Sequence, residues 1–173
     1  MDSKSVLEQV RSGAMSVEEA ERFFQHKAYE DLGYAKLDTY REIRSGFPEV
    51  IYCSNKPDEF LLSIYQRLFA EHGEVYGTRA SAEQYELVRK VLPQIQYDAV
   101  ARTLKYERPD KQRVGCVAVC TAGTADIPVA EEAAQTAEFF GAQVVRIYDV
   151  GVSGIHRLLD KVDVLQRANC VVA

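Results

Sequence analysis

The sequence lacks any hydrophobic run approaching the roughly 20 residues that a membrane-spanning helix needs. Its opening stretch, "MDSKSVLEQVRSG", is broken by polar residues where a signal peptide requires an apolar segment. The two absences predict a cytoplasmic protein with no membrane partner. An excess of positive charge is missing too: 21 Lys and Arg stand against 26 Asp and Glu, a formal net charge of −5. That balance argues against a general electrostatic footprint for nucleic acid, although local cations can still hold a small anion. Cysteine is sparse and poorly spaced for a metal. Cys53, Cys116, Cys120 and Cys170 form no C-x-x-C pair, which argues against a thiolate zinc site. Three of them lie in apolar strand-like runs, the setting of reduced, buried small hydrophobes. The chain also has neither the lysine-bearing phosphate loop G-x-x-x-x-G-K-[ST] nor the three-glycine dinucleotide fingerprint.

What is present is apolar substance: 47% of the 173 residues are hydrophobic, enough for one generous domain or two small ones. Residues 1–30 read as two short amphipathic helices. Gly13 ends the first, and Ser16 with Glu19 has capping-box spacing ahead of the second. Their expected role is packing or oligomer contact. Residues 31–105 read as a small α/β domain. In it "EVIYC" (49–53), "EVYGTR" (74–79) and "YDAVARTLKYE" (97–107) are expected strands. Between them "KPDEFLLSIYQRLFAEHG" is a helix with Pro57 in its first turn and an apolar stripe of Phe60, Ile64 and Leu68. A second helix, "SAEQYELVRKVLP", opens on a Ser81–Gln84 capping box and stops near Pro93. The charged stretch "YERPDKQR", 106–113, has no apolar period and reads as a linker.

Residues 114–173 give a βαβαβ pattern. "VGCVAVC" runs into a small-residue loop, "IPVAEEAAQTAEFFG" is a helix bounded by Pro128 and Gly141, "AQVVRIYDVG" is a strand, "GIHRLLDKVDVLQRA" a helix and "NCVVA" a strand. Such a pattern implies a parallel sheet with right-handed crossovers. Because a parallel sheet is normally covered on both faces, a chain that closes on an apolar strand reads as the first half of a longer domain, or as one completed by another subunit.

Ligands of open parallel sheets bind beyond the carboxyl ends of the strands, where loops lead into helix N-termini. The loop from Thr121 to Asp126 offers backbone N–H groups at a helix start, a setting for phosphate or carboxylate, with hydroxyls from Thr121 and Thr124. Asp126 lies at the helix N-cap, where it either caps or reaches a ribose hydroxyl. The loop from Asp149 to Arg157 sets Ser153, Gly154, His156 and Arg157 at the next strand end. Arg157 can pair bidentately with an anion, and His156 can exchange protons near neutral pH. The two loops together predict a shared anion site. Weaker candidates are the polar cluster Lys36, Asp38, Arg41 and Arg44; His26 and His72, which read as surface residues; and Glu131 and Glu132, read as first-turn acids facing the helix dipole.

"CTAGTADIPVAEEAAQTAEFFGAQVVRIYDVGVSGIHRLL" resembles the nucleotide-binding half of the LarB-type carboxylases, relatives of phosphoribosylaminoimidazole carboxylase. "GYAKLDTYREIRSGFPEVIYC" and "TRASAEQYE" resemble the same family's N-terminal domain. The resemblance implies a small α/β domain followed by a truncated, parallel-sheet, flavodoxin-like three-layer domain. It also implies an activity, the first step of nickel-pincer nucleotide synthesis. In that step the pyridinium ring of nicotinic acid adenine dinucleotide is carboxylated at C5 and the phosphoanhydride is hydrolysed, releasing AMP and pyridinium-3,5-biscarboxylic acid mononucleotide. CO2 or bicarbonate is the implied carbon source and Mg2+ the implied helper, with its ligands open. Homo-oligomers with sites near subunit boundaries are implied as well. In the purine carboxylases a Gly-Ser-x-Ser-Asp loop and a Ser-Ala-His-Arg turn hold the ribose phosphate. Here Ala122 to Asp126 stand at the first, and Ser153 with His156 and Arg157 at the second, which is longer by one residue.

Two departures follow from the comparison. Ala125 stands where the family usually has Ser, and the family's later Gly-Met-Glu-Gly loop and nucleophilic cysteine have no counterpart in these residues. None of the four cysteines matches that nucleophile, so the expectation is a chain that grips substrate but is itself inactive. Two alternatives are an aminoimidazole ribonucleotide carboxylase or mutase, disfavoured by the N-terminal domain and the altered His-Arg turn, and a non-catalytic nucleotide-binding module.

Overall fold

The computed structural model describes residues 3–24, 29–38, 41 and 46–173. His26 and Arg44 lie outside them. The chain divides into two compact units, Met1–Glu49 and Val50–Ala173. The first holds α1 (Ser3–Ser12), α2 (Val17–Phe24) and a two-stranded antiparallel ladder of β1 (Glu30–Asp31) and β2 (Lys36–Leu37). Gly13, at φ +76°, ends α1 as expected. The capping box ahead of α2 is complete, with Glu19 N–H donating to the Ser16 hydroxyl at 3.1 Å and Ser16 N–H to the Glu19 carboxylate at 2.8 Å.

The second unit is mixed α/β and contains two sheets. A four-stranded sheet has the order β3-β4-β6-β5, from β3 (Val50–Tyr52), β4 (Val75–Thr78), β5 (Gln96–Asp98) and β6 (Thr103–Tyr106). β3 and β4 are parallel and joined by α3 (Asp58–His72), which buries Leu61, Ile64, Tyr65 and Leu68, positions that share one helix face. The stripe is therefore rotated from the expected one, with Leu61 and Tyr65 in place of Phe60, and Pro57 is the residue before the helix. α4 (Ala82–Arg89) follows β4 behind the expected Ser81–Gln84 capping box.

"YDAVARTLKYE" is two strands, not one. Asp98 accepts the N–H groups of Val100 and Ala101 at 2.9 and 2.8 Å, and Arg102 turns the chain at φ +54°. These bonds fold β5 back on β6 as a hairpin. The stretch 106–113, expected as a linker, is anchored at Lys111. Lys111 pairs with the buried Glu74 at 2.6 Å, donates to the Phe139 carbonyl and stands 4.1 Å above the Phe139 ring. The boundary between units lies at Glu49, so 106–113 runs inside one of them.

The second sheet, β8-β7-β9, is fully parallel: β7 (Val114–Cys120) lies between β8 (Ala142–Ile147) and β9 (Cys170–Val172). Alternate residues of β7 serve opposite faces. Val117 and Val119, with Val144, pack on Ala130, Ala133 and Ala134 of α5 (Ile127–Phe139). Ala118 and Cys120, with Ile147 and Val150, pack on Leu158, Val164, Leu165 and Ala168. Those residues belong to α6 (Ile155–Leu159) and α7 (Val162–Arg167) or follow them, so helices pack on both faces of β7, while β9 stays exposed along its length. The expected single helix from Gly154 is thus two, separated at Asp160–Lys161, where Lys161 takes φ −107° and ψ 5°. Cys53 is buried as expected, whereas Cys116 and Cys120 are half-buried and Cys170 is exposed.

α5 is shared by the two sheets. Its alanines face β7, while Phe139 stacks on Tyr76 of β4 with ring centres 4.8 Å apart, and Thr136 meets the Tyr76 hydroxyl at 3.0 Å.

Candidate functional site

The carboxyl ends of β7 and β8 are neighbours, so the loops that follow them meet. They are laced by backbone bonds: Thr121 N–H to the Ile147 carbonyl at 3.1 Å, Val150 N–H to the Thr121 carbonyl at 2.9 Å, and Gly151 N–H to the Ala122 carbonyl at 3.0 Å. The buried Thr121 hydroxyl adds a fourth, accepting from Asp149 N–H at 3.1 Å. Asp149 itself holds φ +59°, a left-handed conformation that non-glycine residues rarely adopt. A Cβ on Gly151 would stand 2.7 Å from the Ala122 oxygen, so only glycine lets the loops come this close.

Within the first loop, Thr124–Asp126 is a 3-10 turn leading into α5. The expected N-cap role of Asp126 needs correction. Asp126 occupies that position, but its carboxylate makes no bond to α5 and reaches back to Gly123 N–H at 3.0 Å. It thereby uses one donor of the expected anion cradle. The N–H groups of Thr124 and Ala125 open the turn and have no acceptor within it.

Within the second loop, Val152–Gly154 is another 3-10 turn, with Ser153 and His156 exposed and Gly154 buried under the Arg157 guanidinium. Arg157 pairs with Asp149 across the loop, both side chains being substantially exposed. An exposed pair of this kind contributes about 0–1 kcal/mol, so a phosphate can displace Asp149 at little cost. The Thr121 hydroxyl, expected to reach the ligand, is buried and accepts from Asp149 instead, and Asp149 shapes the site more than sequence reasoning credits it with. The sequence signal for Asp149 is the small-residue context beside it.

All eight expected residues, Thr121, Gly123, Thr124, Asp126, Ser153, Gly154, His156 and Arg157, thus lie on two loops joined at one sheet edge. No metal centre accompanies them: among the described residues no group of three His, Cys, Asp or Glu is placed to hold an ion. Asp126 and Asp149 are both committed to other partners. The residues present do not form a protein-held magnesium site.

Comparison with known families covers the part of the chain just upstream. Residues 29–108 match the LarB/PurE-like N-terminal domain. The match takes in the four-stranded sheet with α3 and α4 and closes before Lys111. Within the matched stretch Tyr76 and Thr103 meet α5, the helix that the first loop opens into. The chain is also 33% identical over 168 residues to the uncharacterised protein MJ0165 of Methanocaldococcus jannaschii. That alignment covers 90% of this chain and 64% of the relative, so the chain spans just under two thirds of the relative's length.

The weaker candidates are engaged elsewhere. Lys36 stands 5.0 Å above the Tyr29 ring, and Asp38 N–H donates to Glu49 at 2.8 Å. Glu131 and Glu132 sit in the second turn of α5, not the first. Glu131 accepts from Arg146 at 3.0 Å and from the Tyr148 hydroxyl at 2.7 Å, and Glu132 pairs with Arg79 at 2.6 Å. No helix among the described residues is long and apolar enough to cross a membrane.

Proposed function

We propose that the two laced loops hold the phosphates of nicotinic acid adenine dinucleotide in a carboxylation of its pyridinium ring at C5, with CO2 or bicarbonate as carbon source and AMP released. The observation that carries this reading is the junction of Thr121–Asp126 and Asp149–Arg157 at adjacent parallel strand ends, next to a LarB/PurE-like domain. In this reading Thr124 and Ala125 offer backbone N–H groups to one phosphate, and Ser153 offers its hydroxyl. Arg157 leaves Asp149 to make a charge-assisted pair with the phosphoanhydride. The exposed His156 is the group free to exchange a proton with bound substrate. Magnesium, in this scheme, arrives with the phosphates and takes no protein ligand set. The nucleophile that opens the ring is not assigned to any of the four cysteines, and assembly into a homo-oligomer with sites near subunit boundaries belongs to the same proposal.

The test is a calorimetric titration of the chain with nicotinic acid adenine dinucleotide and Mg2+. Saturable binding is expected, weakened about tenfold or more in Arg157→Ala, the loss of one hydrogen bond to a charged group. Absence of binding, or equal affinity in Arg157→Ala and Ser153→Ala, overturns the proposal. Preference for aminoimidazole ribonucleotide at the same loops instead assigns the purine carboxylase or mutase reaction.

A further inference from the structure

A cleft of about 270 Å³ opens between the β5–β6 hairpin and α5, sharing no residue with the two loops. Its lining is predominantly polar: Gln96, Tyr97, Asp98, Thr103, Lys105, Gln135, Glu138 and Arg146. Lys105 follows Thr103 by two on β6, so both side chains project from the same face of the sheet. The Thr103 hydroxyl meets Gln135 of α5 at 2.6 Å, which fixes that face as the one turned toward the cleft. Lys105 is thereby half-buried, and desolvation holds its amine below the usual lysine range.

The carboxylates around Lys105 take their hydrogen bonds from other groups. Glu138 is gripped at two points by Arg146, at 2.6 and 3.1 Å. Asp98 receives the N–H groups of Val100 and Ala101, and Glu107 receives Arg113 at 2.9 Å. Among the described residues Lys105 makes no ion pair or hydrogen bond through its ammonium group. Glu107, Glu138 and Asp98 attract that charge without contacting it and offset only part of its desolvation, and an anion brought to the ammonium offsets more. The lining is formally neutral, two cations against two carboxylates. Asp98 and Glu138 therefore oppose a phosphate dianion about twice as strongly as a singly charged anion, which the Lys105 ammonium can hold by direct contact.

We propose that this cleft is a binding site for a small monoanion of the carboxylate class, held on the Lys105 ammonium. The site stands whether or not the nucleotide reading above is correct, since it uses none of the same residues.

The experiment uses the whole native chain, with acetate as the monoanion probe and inorganic phosphate at pH 8 as the dianion. Acylation of Lys105 by an amine-reactive reagent is followed by peptide mass spectrometry, with the exposed Lys90 as internal reference. Acetate is expected to slow Lys105 severalfold and saturably, beyond chloride of equal ionic strength, while Lys90 is unaffected. Phosphate is expected to protect less. In nuclear magnetic resonance titrations, acetate-dependent amide shifts at Thr103 and Gln96 should vanish in Lys105→Met. Protection no better than chloride, stronger protection by phosphate, or shifts that persist in Lys105→Met overturn the proposal. The acylation arm needs no variant, so it decides the question even if Lys105→Met fails to fold.

Discussion

Gly77 lies on β4 where the strand passes over the Tyr65 hydroxyl and the Cys53 thiol. A Cβ built there would stand 2.0 Å from the Tyr65 oxygen and 2.8 Å from the sulfur. Neither neighbour can simply step aside. Tyr65 is wholly buried and donates its proton to the Leu104 carbonyl at 3.0 Å, so moving the ring leaves a buried acceptor unsatisfied. Burial pushes the Tyr65 phenol well up and the Cys53 thiol up, which keeps both groups neutral in the contact. Gly77→Ala should therefore lower stability by about 1–3 kcal/mol, the usual cost of forcing a methyl group into a packed site. The urea midpoint reports it. In a Tyr65→Phe background, where the clashing oxygen is gone, the same substitution should cost less. Equal costs in the two backgrounds would show that the strand simply shifts away.

At the scale of elements, the loops after β7 and β8 hold each other. Thr121 is the one side chain in the lacing, and its hydroxyl accepts the N–H of a residue in a strained left-handed conformation. Thr121→Val keeps the shape and removes the acceptor, leaving Asp149 N–H without its partner. A loss of about 1–3 kcal/mol is expected, seen as a lowered thermal midpoint and faster exchange of the Asp149 amide; Thr121→Ser should restore both. Features that depend on a few consecutive residues were legible in the sequence. The Ser16–Glu19 and Ser81–Gln84 boxes, the Gly13 stop and the strand "VGCVAVC" all stand where the sequence puts them. Features that depend on a distant partner were not. "DAVAR" shows no Asn-Gly or Gly-Gly pair, and its turn rests on the Asp98 side chain and a positive φ at Arg102. The site followed the same rule: its loops were readable as strand-to-helix junctions, but the return of Asp126 to Gly123 and the Arg157–Asp149 pair appear only once the chain is folded.

For the whole molecule, the question is how Val50–Ala173 unfolds. Composition suggests two domains joined at 106–113, which would melt separately. The structure gives that stretch an anchored Lys111 and gives both sheets the same helix. α5 packs its alanines on β7 and its Phe139, Thr136 and Gln135 on β4 and β6. Phe139 is 1% exposed and its ring meets both Tyr76 and the Lys111 ammonium. Its removal opens a cavity against the four-stranded sheet while leaving the alanine face of α5 intact. Phe139→Ala is expected to cost about 3–5 kcal/mol, and because the helix serves both sheets, the loss should fall on both. Hydrogen exchange should show amides of β4 and β6 losing protection in step with those of β7 and β8, within a single unfolding transition. Loss of protection confined to β4 and β6, with β7 and β8 unchanged, would mean that the two sheets fold independently and that 106–113 acts as a linker after all.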